Sequence, residues 1–407
     1  MQKKQHSSLV AFATGLLLTL LDSHADIQKE LDSKYTTKVN NKTVFMQQVN
    51  DLSDEEQDTF MLGKSFFTVP WIEAPSATTA RDGLGPLFNS NTCINCHPKN
   101  GRASLFTKKQ TISRAYVTRL SIPPRNSDKD KEMLKYSGFV QEDTYGSQIS
   151  INAVPGVKYE GKPTLTYKSV PVIYPDGKKV FLKQPLRGIS FQLKDLQYGI
   201  IHKNVSITNR LAPALVGLGL LDKIKDSQLL ANEDINDVNK DGISGKANIV
   251  YSPKNKDFRV GRYTYKASSA SVFEQSGAAA NNDMSLTNVL FPNENCTKKQ
   301  KDCLNAPQGD NIGEGITFDL PSKRLEAIAF YLSNLRIPKS NITEKKGEEL
   351  FSKIGCVQCH TASFTLENGY KVKPFSDLLL HDMGEGLSDG RSEFKATPRE
   401  WRTAPLW

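Results

Sequence analysis

Two copies of Cys-x-x-Cys-His constrain this chain more than any other feature: Cys93-Ile94-Asn95-Cys96-His97 and Cys356-Val357-Gln358-Cys359-His360. Two thiols three positions apart project from one tight turn and can both add to the vinyl groups of one porphyrin. The adjacent imidazole then reaches the iron, so one short segment supplies both attachment and proximal ligand. Zinc ribbons also use Cys-x-x-Cys pairs, but at separations of roughly 15–20 residues; here some 260 positions separate Cys96 from Cys356. A redox dithiol needs one pair and no histidine. The pattern therefore predicts two covalently bound haem c groups, held by Cys93, Cys96 and His97 and by Cys356, Cys359 and His360.

The N-terminus points to a compartment where such attachment occurs. Lys3 and Lys4 precede an apolar run from Leu9 to Leu21, and Ser23-His24-Ala25 offers a small-x-small cleavage site. That is the layout of a secretory signal peptide over residues 1–25. Thirteen apolar residues fall short of the ~20 that span a bilayer, and the mature chain holds no transmembrane stretch, so a periplasmic location is expected. Four of the six cysteines belong to the haem motifs. The other two, Cys296 and Cys303, are expected to form a local disulfide in an oxidising space.

The formal charge is +9, and about +8 without residues 1–25. A basic surface favours acidic partners or anionic headgroups. No arginine-rich run interleaved with aromatics suggests nucleic acid.

Similar elements precede the two motifs. Thr343 to Phe351 reads as a short amphipathic helix with Gly347, Leu350 and Phe351 on one face, and Ser53-Asp54-Glu55-Glu56 is a capping-box start leading into Phe60, Gly63, Phe66 and Phe67. The first motif is the more elaborated, with twenty-five residues between Phe67 and Cys93 against four between Phe351 and Cys356. A further helix is predicted over Ser322 to Leu335, with Leu325, Ile328, Ala329, Leu332 and Leu335 on one face. Between them, Thr164 to Tyr174 and Lys178 to Leu182 flank Pro175-Asp176-Gly177 as a hairpin, and the rest of the middle region reads as irregular. The expected fold is mainly α: two cytochrome c-like haem domains, over residues 26–340 and 341–407, the first carrying a long irregular insertion with minor β structure.

In the loop from Asp237 to Gly245, the side chains of Asp237, Asn239 and Asp241 alternate ahead of Gly242, as in the first half of an EF-hand. Position twelve is Asn248 rather than a bidentate glutamate. The pattern leaves two readings open, a calcium site and a solvated Asx-rich turn.

Several segments together carry a family resemblance: Trp71-Ile72-Glu73-Ala74-Pro75, Asp82 to Asn89, Cys93 to Gly101, Asp237 to Gly245, and Asp377 to Gly384. The chain resembles the secreted di-haem c-type oxidoreductases labelled thiol oxidoreductases, relatives of bacterial di-haem cytochrome c peroxidases, along almost all of its mature length. The resemblance implies one haem that handles electrons and one that meets a small oxidant. It also implies an aromatic residue between the haems and a Gln with a carboxylate over the reactive iron. Tyr265, Gln275 and Asp283 have comparable order and spacing, with Tyr and Asp standing where the peroxidases use Trp and Glu. The other reading of Gln275 and Asp283 is that they cap and solvate a helix end. The resemblance further suggests a chain that continues beyond Trp407, which lies 47 residues after His360.

Distal ligands have four candidates. His381 and Met383 follow the second motif at a distance where cytochromes c place a sixth ligand, and His202 and Met284 are alternatives for either iron. The leading function is then a periplasmic di-haem oxidoreductase that passes electrons from a small redox protein to peroxide. A non-catalytic di-haem electron carrier and a haem-based sensing module are the alternatives.

Overall fold

The computed structural model describes residues 28–109, 111–309, 317–339 and 345–407; the expected signal peptide lies outside them. The frame is three helices, each with an apolar stripe and a defined start. Asp54–Thr68 (α1) opens with the capping box between Ser53 and Glu56 and buries Phe60, Gly63, Phe66 and Phe67. Val272–Met284 (α2) is capped by the Ser271 side chain. Ser322–Ser333 (α3) starts after Pro321 and buries Leu325, Ile328, Ala329 and Leu332. α1 crosses α3 at Gly63, where an added Cβ would stand 1.8 Å from the carbonyl oxygen of Ala327. Phe60 and Phe67 clasp Tyr331 from α1, with ring centroids 5.0 and 5.5 Å away.

The middle of the chain is more regular than its sequence suggests. Tyr116–Ser121 (β1) finds no partner nearby in sequence. Tyr167–Ile173 (β2) and Lys179–Pro185 (β3) form the expected antiparallel hairpin, its turn closed by Gly177 donating to the Tyr174 carbonyl at 2.8 Å. Ser206–Leu211 (β4) then returns to pair antiparallel with all of β1. Ile249–Ser252 (β5) and Asp257–Val260 (β6) make a second hairpin, and Leu380–Asp382 (β7) pairs with Glu400–Arg402 (β8). Every sheet among the described residues has two strands.

The mainly α expectation is therefore corrected. The structure is 28% helical and 21% strand, the strand lying in small scattered sheets. The error has a physical source: β1 and β4 are joined by pairing across about ninety residues, and such pairing leaves no local periodicity.

One large apolar cluster joins α1 and α3 to Phe364, Leu366, Tyr370, Val372, Leu378 and Leu379 from beyond the second motif. Cys296 and Cys303 are disulfide-bonded, with Cα atoms 5.9 Å apart. No helix among the described residues is long and apolar enough to cross a membrane.

Gly63 leaves no room for a methyl group. Gly63→Ala should destabilise the protein by roughly 1–3 kcal/mol through overpacking, read as a lower denaturation midpoint. An unchanged midpoint would show that α1 and α3 can separate at no cost.

Glu160 is wholly buried, accepting from the Ser150 N–H at 2.6 Å and from the Gln300 amide. Burial pushes its carboxyl up to about 8, despite those bonds. Because the folded value lies above the unfolded one, its contribution is fully present below pH ~4.5 and is lost as pH rises through about 8. Glu160→Gln should flatten the stability profile across that window. A wild-type slope in the variant would assign the pH dependence to other groups.

Candidate functional site

The first motif occupies a single helical turn. The Thr92 hydroxyl accepts from the Asn95 N–H at 3.3 Å, Cys93–Cys96 forms the turn, and the His97 N–H donates to the Cys93 carbonyl at 3.0 Å. The His97 Nδ1 lies 2.8 Å from the Pro213 carbonyl oxygen. A carbonyl only accepts, so Nδ1 carries the proton and Nε2 is left with a free lone pair for a metal. Phe67 packs near the imidazole at 6.5 Å. Burial lowers the pKa of His97, which keeps it neutral as a ligand must be. Burial, with the neighbouring thiol and Asp283 adding to it, pushes Cys93 up to about 12. Cys96 also reaches about 12, through burial and then Asp283. Both are therefore held as thiols.

The second motif repeats this arrangement. Gly355 in the left-handed region starts the turn, the His360 N–H donates to the Cys356 carbonyl at 2.9 Å, and His360 Nδ1 lies 2.6 Å from the Phe375 carbonyl oxygen. Around it Leu350, Ile354 and Val357 are exposed. All four motif cysteines are unpaired, although the chain's other two are joined in a disulfide. Free thiols and an Nε2 left open at each histidine fit a porphyrin at both places, and the second adds an uncovered apolar strip. Cys93, Cys96 and His97 would hold one, and Cys356, Cys359 and His360 the other.

Of the residues expected over a reactive iron, Asp283 is beside the first motif. It ends α2, and its charge bears on Cys93, Cys96 and His97. Its carbonyl accepts from the Asn89 N–H at 2.9 Å and the Ser90 N–H at 3.2 Å, and its carboxylate accepts from Gln148 Nε2 at 2.8 Å. Gln275 lies eight residues earlier on the same helix, about 12 Å along the axis at ~1.5 Å per residue, and no hydrogen bond joins it to Asp283. The capping of α2 falls to Ser271. A cleft of about 580 Å³ opens nearby, lined in part by Trp71, Glu73, Asn91, Arg114 and Asn152.

Tyr265 lies between the two motifs. Its hydroxyl donates to the Leu211 carbonyl at 2.7 Å, and Leu211 packs against the small cluster of Cys96, Ala103 and Ala115. Its ring meets Trp401 edge-on at 6.3 Å. Trp401 stands opposite His381 in the β7–β8 register, and His381 Nδ1 is 3.6 Å from the Cys359 sulfur.

The distal-ligand candidates are scattered. His381 is buried with both ring nitrogens engaged, Nε2 2.8 Å from Asp377 and Nδ1 2.9 Å from the Ser244 carbonyl. Burial works to lower its pKa, but Asp377 and Cys359 outweigh it and raise the value to about 10. Met383 is half exposed, Met284 is buried in the main cluster, and His202 closes a turn by accepting from the Asn204 N–H at 3.1 Å.

The acidic loop closes on itself. Asp237 accepts from the Gly242 N–H, Asp241 from the Ile243 N–H, and Asn239 from the Asp241 N–H, at 2.9–3.2 Å. Asn248 is fully buried and its amide donates to the carbonyls of Lys266 and Glu393. Among the described residues, no group of three or more His, Cys, Asp or Glu is gathered as a metal ion would need.

Residues 31–407 match the family described as "Di-haem oxidoreductase, putative peroxidase". The chain belongs to this family. No curated protein and no solved structure matches it. Membership makes haem the cofactor of this di-haem oxidoreductase and agrees with the two attachment motifs. Three residues beside the sites escaped the sequence reading: Gln148, Asn89 and Trp401. Of these, Asn89 ends the segment Asp82 to Asn89 that carries part of the family resemblance. The others sit on strands or bridges whose partners are distant in sequence.

Proposed function

We propose that this di-haem oxidoreductase binds both haems covalently, works in the periplasm, and passes electrons from a small redox protein to peroxide. The observation that carries the reading is the asymmetry between two otherwise equivalent motifs. Each presents an imidazole with Nε2 free; at the first the Asp283 carboxylate bears on the cysteines and the histidine, whereas at the second Asp377, whose N–H donates to the Cys359 carbonyl, has its carboxylate taken up by His381. Export rests on the sequence of residues 1–25, with the Cys296–Cys303 disulfide as support.

Each haem supplies an iron that exchanges single electrons, and an open iron position is where an O–O bond can be broken. The protein supplies the proton handling. Peroxide takes two electrons and two protons to give two waters, so a proton must move from the oxygen that binds to the oxygen that leaves. The Asp283 carboxylate accepts that proton and returns it. Tyr265 and Trp401 provide the aromatic path by which electrons from the second site reach the first. The basic surface, +9 over the whole sequence, favours an acidic donor protein.

Intact mass of the exported protein should show two haem additions, and Cys356→Ala should weaken attachment at the second motif alone. A mass with one haem or none would remove the covalent reading. Asp283→Asn should slow peroxide turnover by ~10²-fold or more if it performs acid–base work, with haem content unchanged. Gln275→Leu tests the other expected residue in the same assay. A fully loaded protein inert to peroxide would be an electron carrier.

A further inference from the structure

Gln148 has one of the least accessible side chains in the protein, at 1% exposure. Its backbone is fixed against β1: the Leu120 N–H donates to the Ser147 carbonyl at 2.8 Å, the Ile149 N–H to the Thr118 carbonyl at 2.9 Å, and Gln148 bridges to Arg119. From there its Nε2 donates twice into the end of α2, to the Asn282 carbonyl at 3.0 Å and to the Asp283 carboxylate at 2.8 Å. Ser147 adds a bond to the Asn282 side chain at 3.1 Å. Gln148 Oε1, however, is buried with no partner, and so is Nδ2 of Asn89, whose backbone N–H donates to the Asp283 carbonyl. Buried polar atoms are nearly always paired, and each exception calls for a cause. Here an unpaired acceptor and an unpaired donor belong to the two residues that hold Asp283.

We propose that Gln148 is the positioning residue for the Asp283 carboxylate beside the first haem, holding it from a strand-anchored segment through its Nε2 donor. The inference rests on the proposed acid–base role of Asp283, though the coupling between the two residues does not. An amide suits the task. Its N–H fixes one carboxylate oxygen and, being neutral, does not compete for the proton. Gln148 reaches Asp283 from a strand-anchored segment rather than from α2, so the carboxylate is held between two independently built elements.

The test is a double-mutant cycle on the fully loaded protein, read both by peroxide turnover and by the rate at which the first haem takes up cyanide. Hydrogen cyanide must give up its proton as it binds, so its association reports the base without turnover. Gln148→Leu and Asp283→Asn should each slow both processes about tenfold or more, with haem content unchanged. The double variant should be no slower than Asp283→Asn alone. Gln148→Met, which keeps the length of the side chain but has no N–H donor, should be slow as well and serves if the leucine variant does not load haem. Wild-type rates in both Gln148 variants, or losses that add to that of Asp283→Asn, would overturn the positioning role while leaving peroxide reduction intact. Coupled losses in cyanide uptake in a parent protein without peroxide turnover would keep the role and remove the proposed function. A first haem that takes no cyanide would overturn both.

Discussion

Backbone contact between α1 and α3 at Gly63 is the constraint on which the first motif depends. With no side chain at that crossing, the Ala327 carbonyl comes close enough that even a methyl group would collide with it. The crossing brings Tyr331 between Phe60 and Phe67. The Tyr331 hydroxyl accepts from Asn100 Nδ2 at 2.8 Å, three residues after His97, and the same amide donates to the Phe45 carbonyl. The Asn100 carbonyl in turn accepts from the Leu215 N–H at 2.8 Å. That bond holds the segment whose Pro213 carbonyl orients the His97 ring. Helix packing thus reaches the imidazole through three hydrogen bonds, two of them made by the buried Asn100, which would be costly to leave unpaired.

The two motifs use the same carbonyl device but obtain it differently. Phe375 lies fifteen residues from His360, so the second site is assembled from one local stretch. Pro213 lies 116 residues from His97 and is brought to it by β4. The partner of β4 is β1, which also anchors Ser147 and Gln148. One two-stranded sheet therefore fixes both the carbonyl that orients the His97 ring and the amide that holds Asp283. Their separation is set by a ladder of backbone hydrogen bonds rather than by loop conformation. A site that must place a proton acceptor within hydrogen-bond reach of a reacting atom gains from such rigidity.

This arrangement also explains what could be read from residue order alone. The motifs, the Ser53–Glu56 capping box, the buried face of α3, the Pro175-Asp176-Gly177 hairpin and the Cys296–Cys303 bridge each depend on residues within a few turns of one another. All five are present as expected. What was illegible is long-range. Nothing local in Tyr116–Ser121 marks Ser206–Leu211 as its partner, which is why the middle region read as irregular and the chain as mainly α. The groups that orient both imidazoles are main-chain carbonyls, which any residue possesses, so no residue type could announce Pro213 or Phe375. Gln148 was hidden for the same reason. It becomes conspicuous only when its distance to Asp283 and its unpaired oxygen are known.

The sites differ, finally, in what attachment of a haem does to the surface around them. At the first motif Cys96 is buried and Cys93 half-buried, and the surrounding apolar groups already pack against the main cluster. At the second, no residue of the helix Lys345–Lys353 is buried, and Leu350, Ile354 and Val357 stand open to water at 55%, 64% and 42% exposure. Covering such groups with a porphyrin removes apolar area from water at roughly 25 cal/mol per Å². A ligand that binds only the folded arrangement stabilises it by mass action. The helix Lys345–Lys353 is held to the second motif through Phe351, whose ring lies 6.0 Å from that of His360 and 6.1 Å from that of Phe375. The first motif is instead clamped by α1, α3 and β4.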